Sequence, residues 1–503
     1  MAGDLRGHLV AYFEEQHKLV EAGALQLLLA TPQPLIVSRE VVERVGPASP
    51  FVTREIVEAA LAERRPRSAA AAPTLADAAP PGARRVPAAR FETIREGFTG
   101  PPIANQPLAA YEALFQSRYR ALARLLRGRP QLPNVRPVRE LRAAEGDASV
   151  IGMVREVRET AQRHHLVLTL DDETGSVELL VPKDSPATRV TFLPDEVVGA
   201  RIQFAKQPNK LPRVAAVERP DVPPTRPVGR AASARRVLLL SDLHVGSRSF
   251  LTDSWAALVA FLREKGPYAD LARSIDHVVV AGDLVDGIGI YPRQERDLAI
   301  PDVVEQYAEL GRRLAELPER LSIVVVPGNH DAVCPAEPQP RLPSNLAAPL
   351  PANVHPLANP STFALDGVVV TAYHGRSFDD LIPALPGASY DRPTDVMKRM
   401  LQSRHLAPIY GDRTPLAPLP YDGLVIDPAP DVLVTGHVHT FGIDRYRGVL
   451  LVNASTWQAE TEYQKMRNIA AVPARAAVVD LATLGVVGLD FSGPSPTAVG
   501  TGA

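Results

Sequence analysis

Five apolar runs, each closing on a short cluster of aspartate, histidine or asparagine, restrict what the second half of this sequence can fold into. RRVLLL leads to Ser241-Asp242-Leu243-His244, and HVVVA to Gly282-Asp283-Leu284-Val285-Asp286-Gly287. SIVVVP leads to Gly328-Asn329-His330-Asp331, GVVVTAY to His374-Gly375, and PDVLVT to Gly436-His437-Val438-His439. Short uninterrupted apolar runs read as strands buried on both faces. Helical patterns fall between several of them, from Ser254 to Glu264 and from Asp302 to Leu317, so the class is α/β. Open α/β sheets place their sites outside the carboxyl ends of the strands. All five clusters are therefore expected on one edge of a sheet.

The donor types choose the chemistry. Carboxylates, imidazoles and an amide oxygen without thiolates suit Mn²⁺, Fe or Zn²⁺ rather than a structural zinc cluster. Asp-x-His and His-x-His set two donors on one side of an extended segment, because alternate residues share a face. Asp283 is the natural bridge, since one carboxylate can hold two cations. Two cations about 3.5–4 Å apart clamp a phosphate, acidify water and stabilise the leaving oxygen. His330 then stands near the phosphate as general acid or charge stabiliser, oriented by Asp331. Asp286 reads as a residue that orients a ligand. Five of the twelve histidines sit in these clusters, which makes chance a poor explanation. His164, His165 and His277 read as surface or core fillers, and Cys334 as a passive thiol.

A chain of 503 residues exceeds one ordinary core. Residues 1–65 read as a small helical domain: Leu9, Phe13, Val20, Ala24 and Leu27 keep a helical period, Ser38 caps a helix through Val45, and Thr53 starts another through Glu63. Residues 66–90, rich in alanine, proline and arginine, read as a flexible linker. A helical connector covers 91–145, with a helix from Leu108 to Arg127 that buries Tyr111, Leu114, Phe115, Tyr119, Leu122 and Leu126. Its Arg118, Arg120, Arg124 and Arg127 form either a solvated basic face or a phosphate-contacting one. VIGMV, LVLTL, SVELLV, ARIQF and VAAV, within 146–220, read as five strands of a small barrel of the oligonucleotide-binding type, with DDETG as a turn. A proline-rich hinge covers 221–234, the large module 235–492, and a disordered tail 493–503.

Hydrophobic residues at 45% and charged residues at 22% are ordinary for a globular chain, and the net charge of −2 advertises no nucleic-acid partner. No apolar run is long enough to span a membrane, and one cysteine fits a reducing cytoplasm.

The series DLH, GDLVDG, GNHD, HG and GHVH resembles the pattern of the calcineurin-like metallophosphoesterase superfamily, over about half of the chain. SDLHVGSRSF, YHGRSFDDLI, SRHLAPIYGDRTPLAP and LVNASTWQAETEYQKMRN narrow the resemblance to the small-subunit family of the archaeal family-D DNA polymerase. The resemblance implies a calcineurin-like sheet sandwich flanked by helices, preceded by the barrel and the helical domain. It implies one metal on Asp242, His244, Asp283 and His439, a second on Asp283, Asn329, His374 and His437, and His330 as the catalytic histidine. Ala454-Ser455 departs from the family's small-residue-and-glycine pair before Thr456-Trp457-Gln458.

The activity implied is two-metal 3′→5′ exonucleolytic proofreading of DNA, with Mn²⁺ the first choice of cofactor. The expected partners are the large catalytic subunit of a replicative polymerase, DNA 3′ ends and other replisome proteins, with no membrane. The alternatives are a stand-alone repair nuclease or phosphoesterase, and a non-catalytic scaffold subunit. Arg376, Lys398, Arg399, Arg404, His405 and Arg413, between His374 and His437, either guide phosphates, contact the large subunit or form a solvated face. Trp457, Tyr463 and Lys465 are candidates for a docking surface or, for Trp457, ordinary packing.

Overall fold

The computed structural model describes residues 9–500 apart from 64–88, 99–107, 142–146, 162, 205–209, 462–469 and several positions among the first 50. Most of the linker 66–90, with Tyr463 and Lys465, lies outside the described residues. Two compact units are distinguished, 1–86 and 87–503.

In the first unit, helices Ala22–Leu29, Pro34–Val45 and Arg54–Glu63 accompany a parallel pair of two-residue strands, Leu19–Val20 and Phe51–Val52. Leu9, Phe13, Ala24, Leu28, Val41 and Val57 share its core. Two expectations are corrected here. Val20 lies on a strand rather than on the helical stripe. Ser38 caps nothing: it is the fifth residue of its helix, and its hydroxyl donates to the Pro34 carbonyl four residues back (2.8 Å).

In the second unit, the same alternation explains both layers of the large module. Along the strand Arg236–Leu240, Val237 and Leu239 face one core while Leu238 and Leu240 face another. Val279 and Ala281, Val324 and Val326 repeat the first pattern; Val278 and Val280, Ile323 and Val325 repeat the second. One core lies between two sheets. The other lies under the helices Thr252–Leu262 and Val303–Ala315, where Trp255, Phe261, Tyr307 and Leu310 cover the sheet. Asp302 caps the second of these helices by accepting from the amides of Val304 (2.8 Å) and Glu305 (3.0 Å).

The first sheet has seven strands in the order 354–356, 322–326, 275–281, 236–240, 475–480, 486–490, 497–499. The second has six, in the order 441–446, 449–454, 432–435, 368–372, 361–365, 91–96. The five apolar runs are all strands, but they divide three and two between these sheets, so the expectation of one sheet edge is corrected. The donor clusters meet because both sheets of the sandwich end on the same side. The connector 91–145 also opens with a strand, Phe91–Glu96, paired to Ser361–Leu365. Its sparse apolar content hid it, as befits an edge strand with one exposed face. Within the tail 493–503, Thr497–Val499 pairs with the strand Val486–Asp490 rather than lying loose.

Strands 147–159, 166–172, 175–181, 213–218 and 197–203 close, in that order, into a barrel. DDETG is its hairpin, with Glu173 and Thr174 between the strands. The helix Leu108–Leu126 joins barrel to sandwich, since Tyr119, Leu122 and Leu126 share a cluster with Ile151 and Val197 of the barrel. Arg118 does not belong to the exposed basic face. It is wholly buried, with Nε 2.7 Å from Asp422 Oδ2 and Nη1 2.6 Å from the Pro408 carbonyl. Arg399 and Arg404 are likewise buried: Arg399 Nη2 reaches Glu196 of the barrel at 2.7 Å, and Arg404 Nε donates to the Ile426 carbonyl. These are internal ties, not phosphate guides.

Burial opposes ionisation of Asp422, but His405 and Arg118 outweigh it and hold the carboxyl well below the usual range. A depressed carboxylate contributes stability above its unfolded pKa of about 4 and loses it as pH falls further. Asp422→Ala, which strands the Arg118 charge in the interior, is expected to cost roughly 3–5 kcal/mol, read as a lower urea midpoint at pH 7. The deficit should shrink as the comparison moves to pH 3. An equal midpoint at pH 7 would show that the pair contributes nothing.

Candidate metal centre

Each cluster lies just beyond the carboxyl end of its strand, where the chain turns sharply. Five of the donor residues hold positive φ: Asp242 (52°), His244 (51°), Asp283 (48°), His437 (70°) and His439 (55°). Such conformations cost side-chain-bearing residues about 1–3 kcal/mol each and concentrate at functional sites. Two glycines allow the turns to pack together. A Cβ on Gly282 (φ 92°) would lie 2.3 Å from His374 Nδ1, and one on Gly436 would lie 1.8 Å from Ser241 Oγ.

The structure brings the donors into two groups. Asp242, His244 and His439 form one, and Asp283, His374 and His437 the other; within each, the ligand atoms lie within 4.8 Å of one another. In the first, His244 Nε2 and His439 Nε2 are 3.1 Å apart and His439 Nε2 is 3.3 Å from Asp242 Oδ1. In the second, His374 Nε2 is 2.9 Å from Asn329 Oδ1 and 3.4 Å from Asp283 Oδ2. Asp283 Oδ2 also stands 3.7 Å from His244 Nε2, so this carboxylate lies between the groups. Its Oδ1 accepts from the His330 amide at 2.8 Å.

These residues fit a pair of divalent cations on the orientation of their rings. His244 Nδ1 meets Asp286 Oδ1 at 3.0 Å, and His374 Nδ1 meets the Ala281 carbonyl at 3.0 Å. With the Nδ1 protons so engaged, the lone pairs are on the Nε2 atoms, which converge. Asp286 is therefore an orienting residue, and Gln458 holds it by donating to Oδ1 at 2.9 Å. The potential is correspondingly negative. Burial opposes charge on Asp283, yet His374 and His330 outweigh it and hold the carboxyl well below its ordinary value. Burial likewise opposes charge on His244, but Asp242 and Asp286 raise it to about 10; Asp283 raises His374 to about 9 against the same burial.

His330 lies at the cleft wall with its side chain 16% exposed, and Nε2 is 3.9 Å from Asp283 Oδ2. Its Nδ1 meets the Asp286 carbonyl at 2.8 Å, so Asp331 does not orient the ring. Asp331 instead accepts from the amides of Gly328 (2.8 Å) and Leu284 (3.1 Å) and from the Tyr307 hydroxyl (2.8 Å). It fastens two of the site loops to each other and to a helix. Burial, with the neighbouring Asp283 charge, pushes its carboxyl up to about 7. Burial holds the His330 imidazole below its usual value.

The donors open on a cleft of about 510 Å³ whose lining includes Arg376, Arg413, Asp379, Tyr390 and Tyr291. Arg376 and Arg413 are thus the two cations of the long segment that reach the site. Lys398 instead pairs with Asp395 (3.4 Å) and Asp444, and His405 is buried against Asp422 (2.9 Å). Trp457 is no docking residue: it is fully buried, edge-on to Trp255 with centroids 5.9 Å apart. His277 is a core residue bonded to Asp366 at 2.8 Å, and Cys334 is exposed. Asp379 and Tyr390 were missed because neither stands in a donor cluster at the end of an apolar run. The only clue was the adjacency of Asp379 to the His374-Gly375 turn.

Among solved structures, vacuolar protein sorting 29 from Cryptosporidium parvum matches at 14% identity over 54% of this chain and 97% of its own, with a TM-score of 0.28. An archaeal phosphodiesterase matches at 13% identity over 52% and 99%, with a TM-score of 0.26. Scores this low carry no argument about function. The family model for the B-type subunit of DNA polymerases alpha and epsilon matches residues 237–442. The DNA polymerase II small subunit of Archaeoglobus fulgidus is 40% identical over 388 residues, 76% of this chain and 78% of that protein. That of Methanothermobacter thermautotrophicus is 36% identical over 481 residues, 92% of this chain and 95% of that protein. With two donor groups intact and identity of this extent along most of both chains, the protein belongs to the family of archaeal DNA polymerase II small subunits.

Proposed function

We propose that this chain is the 3′→5′ proofreading exonuclease and accessory subunit of a replicative DNA polymerase, hydrolysing terminal phosphodiester bonds of DNA with two divalent cations, Mn²⁺ first. The observation that carries the proposal is the pair of complete donor groups with Asp283 between them at the floor of an open cleft. Asp242, His244, Asp283 and His439 would hold one cation; Asp283, Asn329, His374 and His437 would hold the other. A scaffold has no need of five strained donor residues kept in register.

Bound there, the cations supply Lewis-acid activation of the scissile phosphate and its attacking water. The chain's own residues do the rest. The bond from His330 Nδ1 to the Asp286 carbonyl leaves Nε2 as the nitrogen that exchanges a proton with the reacting groups. It can give a proton to the leaving 3′-oxygen when charged and recover one when neutral. Water adds to phosphorus, the bond to the 3′-oxygen of the penultimate nucleotide breaks, and a nucleoside 5′-monophosphate leaves. Asp331 keeps the 282–287 and 328–331 loops in register during this cycle.

Membership of a small-subunit family supports a large catalytic subunit as partner, with the closed barrel, of the oligonucleotide-binding type, and the adjacent sandwich surface as the contact.

With a single-stranded oligonucleotide labelled at its 5′ end and Mn²⁺ present, the chain is expected to give a ladder shortening from the 3′ end. His330→Ala should slow it by about 10²–10⁴-fold, the span of general acid–base catalysis. Internal cuts, or equal rates for both proteins, would overturn the assignment. Metal counting after desalting should find both cations retained by His330→Ala and lost from Asp283→Ala. Full occupancy in Asp283→Ala would remove the bridge from the mechanism.

A further inference from the structure

One imidazole of the centre is held the opposite way from its neighbours. His244, His330 and His374 each spend Nδ1 on an acceptor behind the site and present Nε2. In His437 it is Nε2 that is engaged, 3.2 Å from Asp379 Oδ2. Asp379 is itself held, because the Tyr390 hydroxyl donates to its Oδ1 at 2.9 Å. Asp379 sits in the first turn of the helix Phe378–Ala384, whereas Tyr390 lies in the segment before the helix Pro393–Ser403, so the tie spans two elements. Both side chains line the metal cleft.

A neutral imidazole carries a proton on one nitrogen and a lone pair on the other, and a carboxylate can only accept. The Asp379 contact therefore places the proton on Nε2 and the lone pair on Nδ1. The backbone of His437 is already fixed by its amide, which donates to Asp242 Oδ2 at 2.9 Å. Its ring has one remaining freedom, rotation about the side-chain bonds, and Asp379 is the group that sets it. Outer carboxylates of this kind fix the tautomer and raise the basicity of a ligating histidine.

We propose that Asp379, held by Tyr390, is a positioning residue that turns His437 Nδ1 toward the second of the two cations; this rests on the two-cation reading above. Asp379 makes no contact with substrate in this role. Nor is it a ligand, a distinction the amide variant can draw. Asparagine keeps an oxygen to accept from Nε2–H and an amide to face Tyr390, but it cannot replace a carboxylate ligand.

The test is a calorimetric titration of the full chain with Mn²⁺ alone, which needs no turnover. Wild type is expected to take up two ions. Asp379→Ala should weaken one of them by about 10–100-fold and leave the other unchanged. Asp379→Asn should recover most of that loss, and Tyr390→Phe should fall between. A wild-type isotherm for Asp379→Ala would overturn the positioning role while leaving the two-cation reading intact. So would an Asp379→Asn protein as impaired as the alanine variant, because the carboxylate would then be a ligand. Uptake of fewer than two ions by wild type would bring down the two-cation reading and this inference with it.

Discussion

Asp283 is only 2% exposed and has no counter-ion of fixed charge; what surrounds it is three imidazoles and a backbone amide. An isolated carboxylate in such a place would cost several kcal/mol and would protonate instead. It stays ionised because His374 and His244 arrive from different sheets to meet it. Their arrival fixes the spacing of the two sheets at that edge. The geometry of the sandwich and the charge of the centre are thus one problem, solved together. A divalent cation on either side of Asp283 would relieve the same negative potential that now raises the proton affinity of His244 and His374.

The backbone carries a matching cost. Five donor residues in the left-handed region are not what their local sequence prefers, and no turn glycine could supply a ligand in their place. The strain persists because the strands feeding those turns are locked by cores on both faces, each with one alternation of the same valine and leucine runs. Asp331 adds a third tie, joining Gly328 and Leu284 through one carboxylate and fastening both to Tyr307. A rigid scaffold at the turns is what lets side chains from positions 242 to 439 converge on one centre.

The strands, the donors and the barrel segments were legible because each is written in adjacent residues: an apolar run, a D-x-H or an H-x-H, an alternation ended by DDETG. What escaped was whatever depends on distance along the chain. Nothing local divides the five runs between two sheets. The edge strand Phe91–Glu96 looks like a linker until its partner Ser361–Leu365 is placed beside it. Arg118 has the helical position of a residue at the margin of the apolar stripe, and only Asp422, more than 300 residues away in sequence, makes its burial possible. Trp457 follows donors and precedes charges, yet packs on Trp255. Asp379 lies inside the family-like stretch YHGRSFDDLI and still has no assignable role until His437 is in view.

The segment between His374 and His437 explains why the barrel and the cleft form one body. Its near side supplies Asp379, Tyr390 and Arg413 to the cleft wall. Its far side supplies Arg399 to Glu196 of the barrel, and Asp422 to Arg118 of the joining helix. The helix Pro393–Ser403 lies between these two sets of contacts, with Met397 and Met400 in the core beneath it. A surface insertion would need only solvent on its far side; this one places two buried ion pairs there, each costly unless the partner module is docked. Docking of the barrel and the shape of the cleft wall are therefore coupled through a single packed helix. In a small subunit that binds a larger partner through its barrel, that helix is the shortest physical path between the interface and His437.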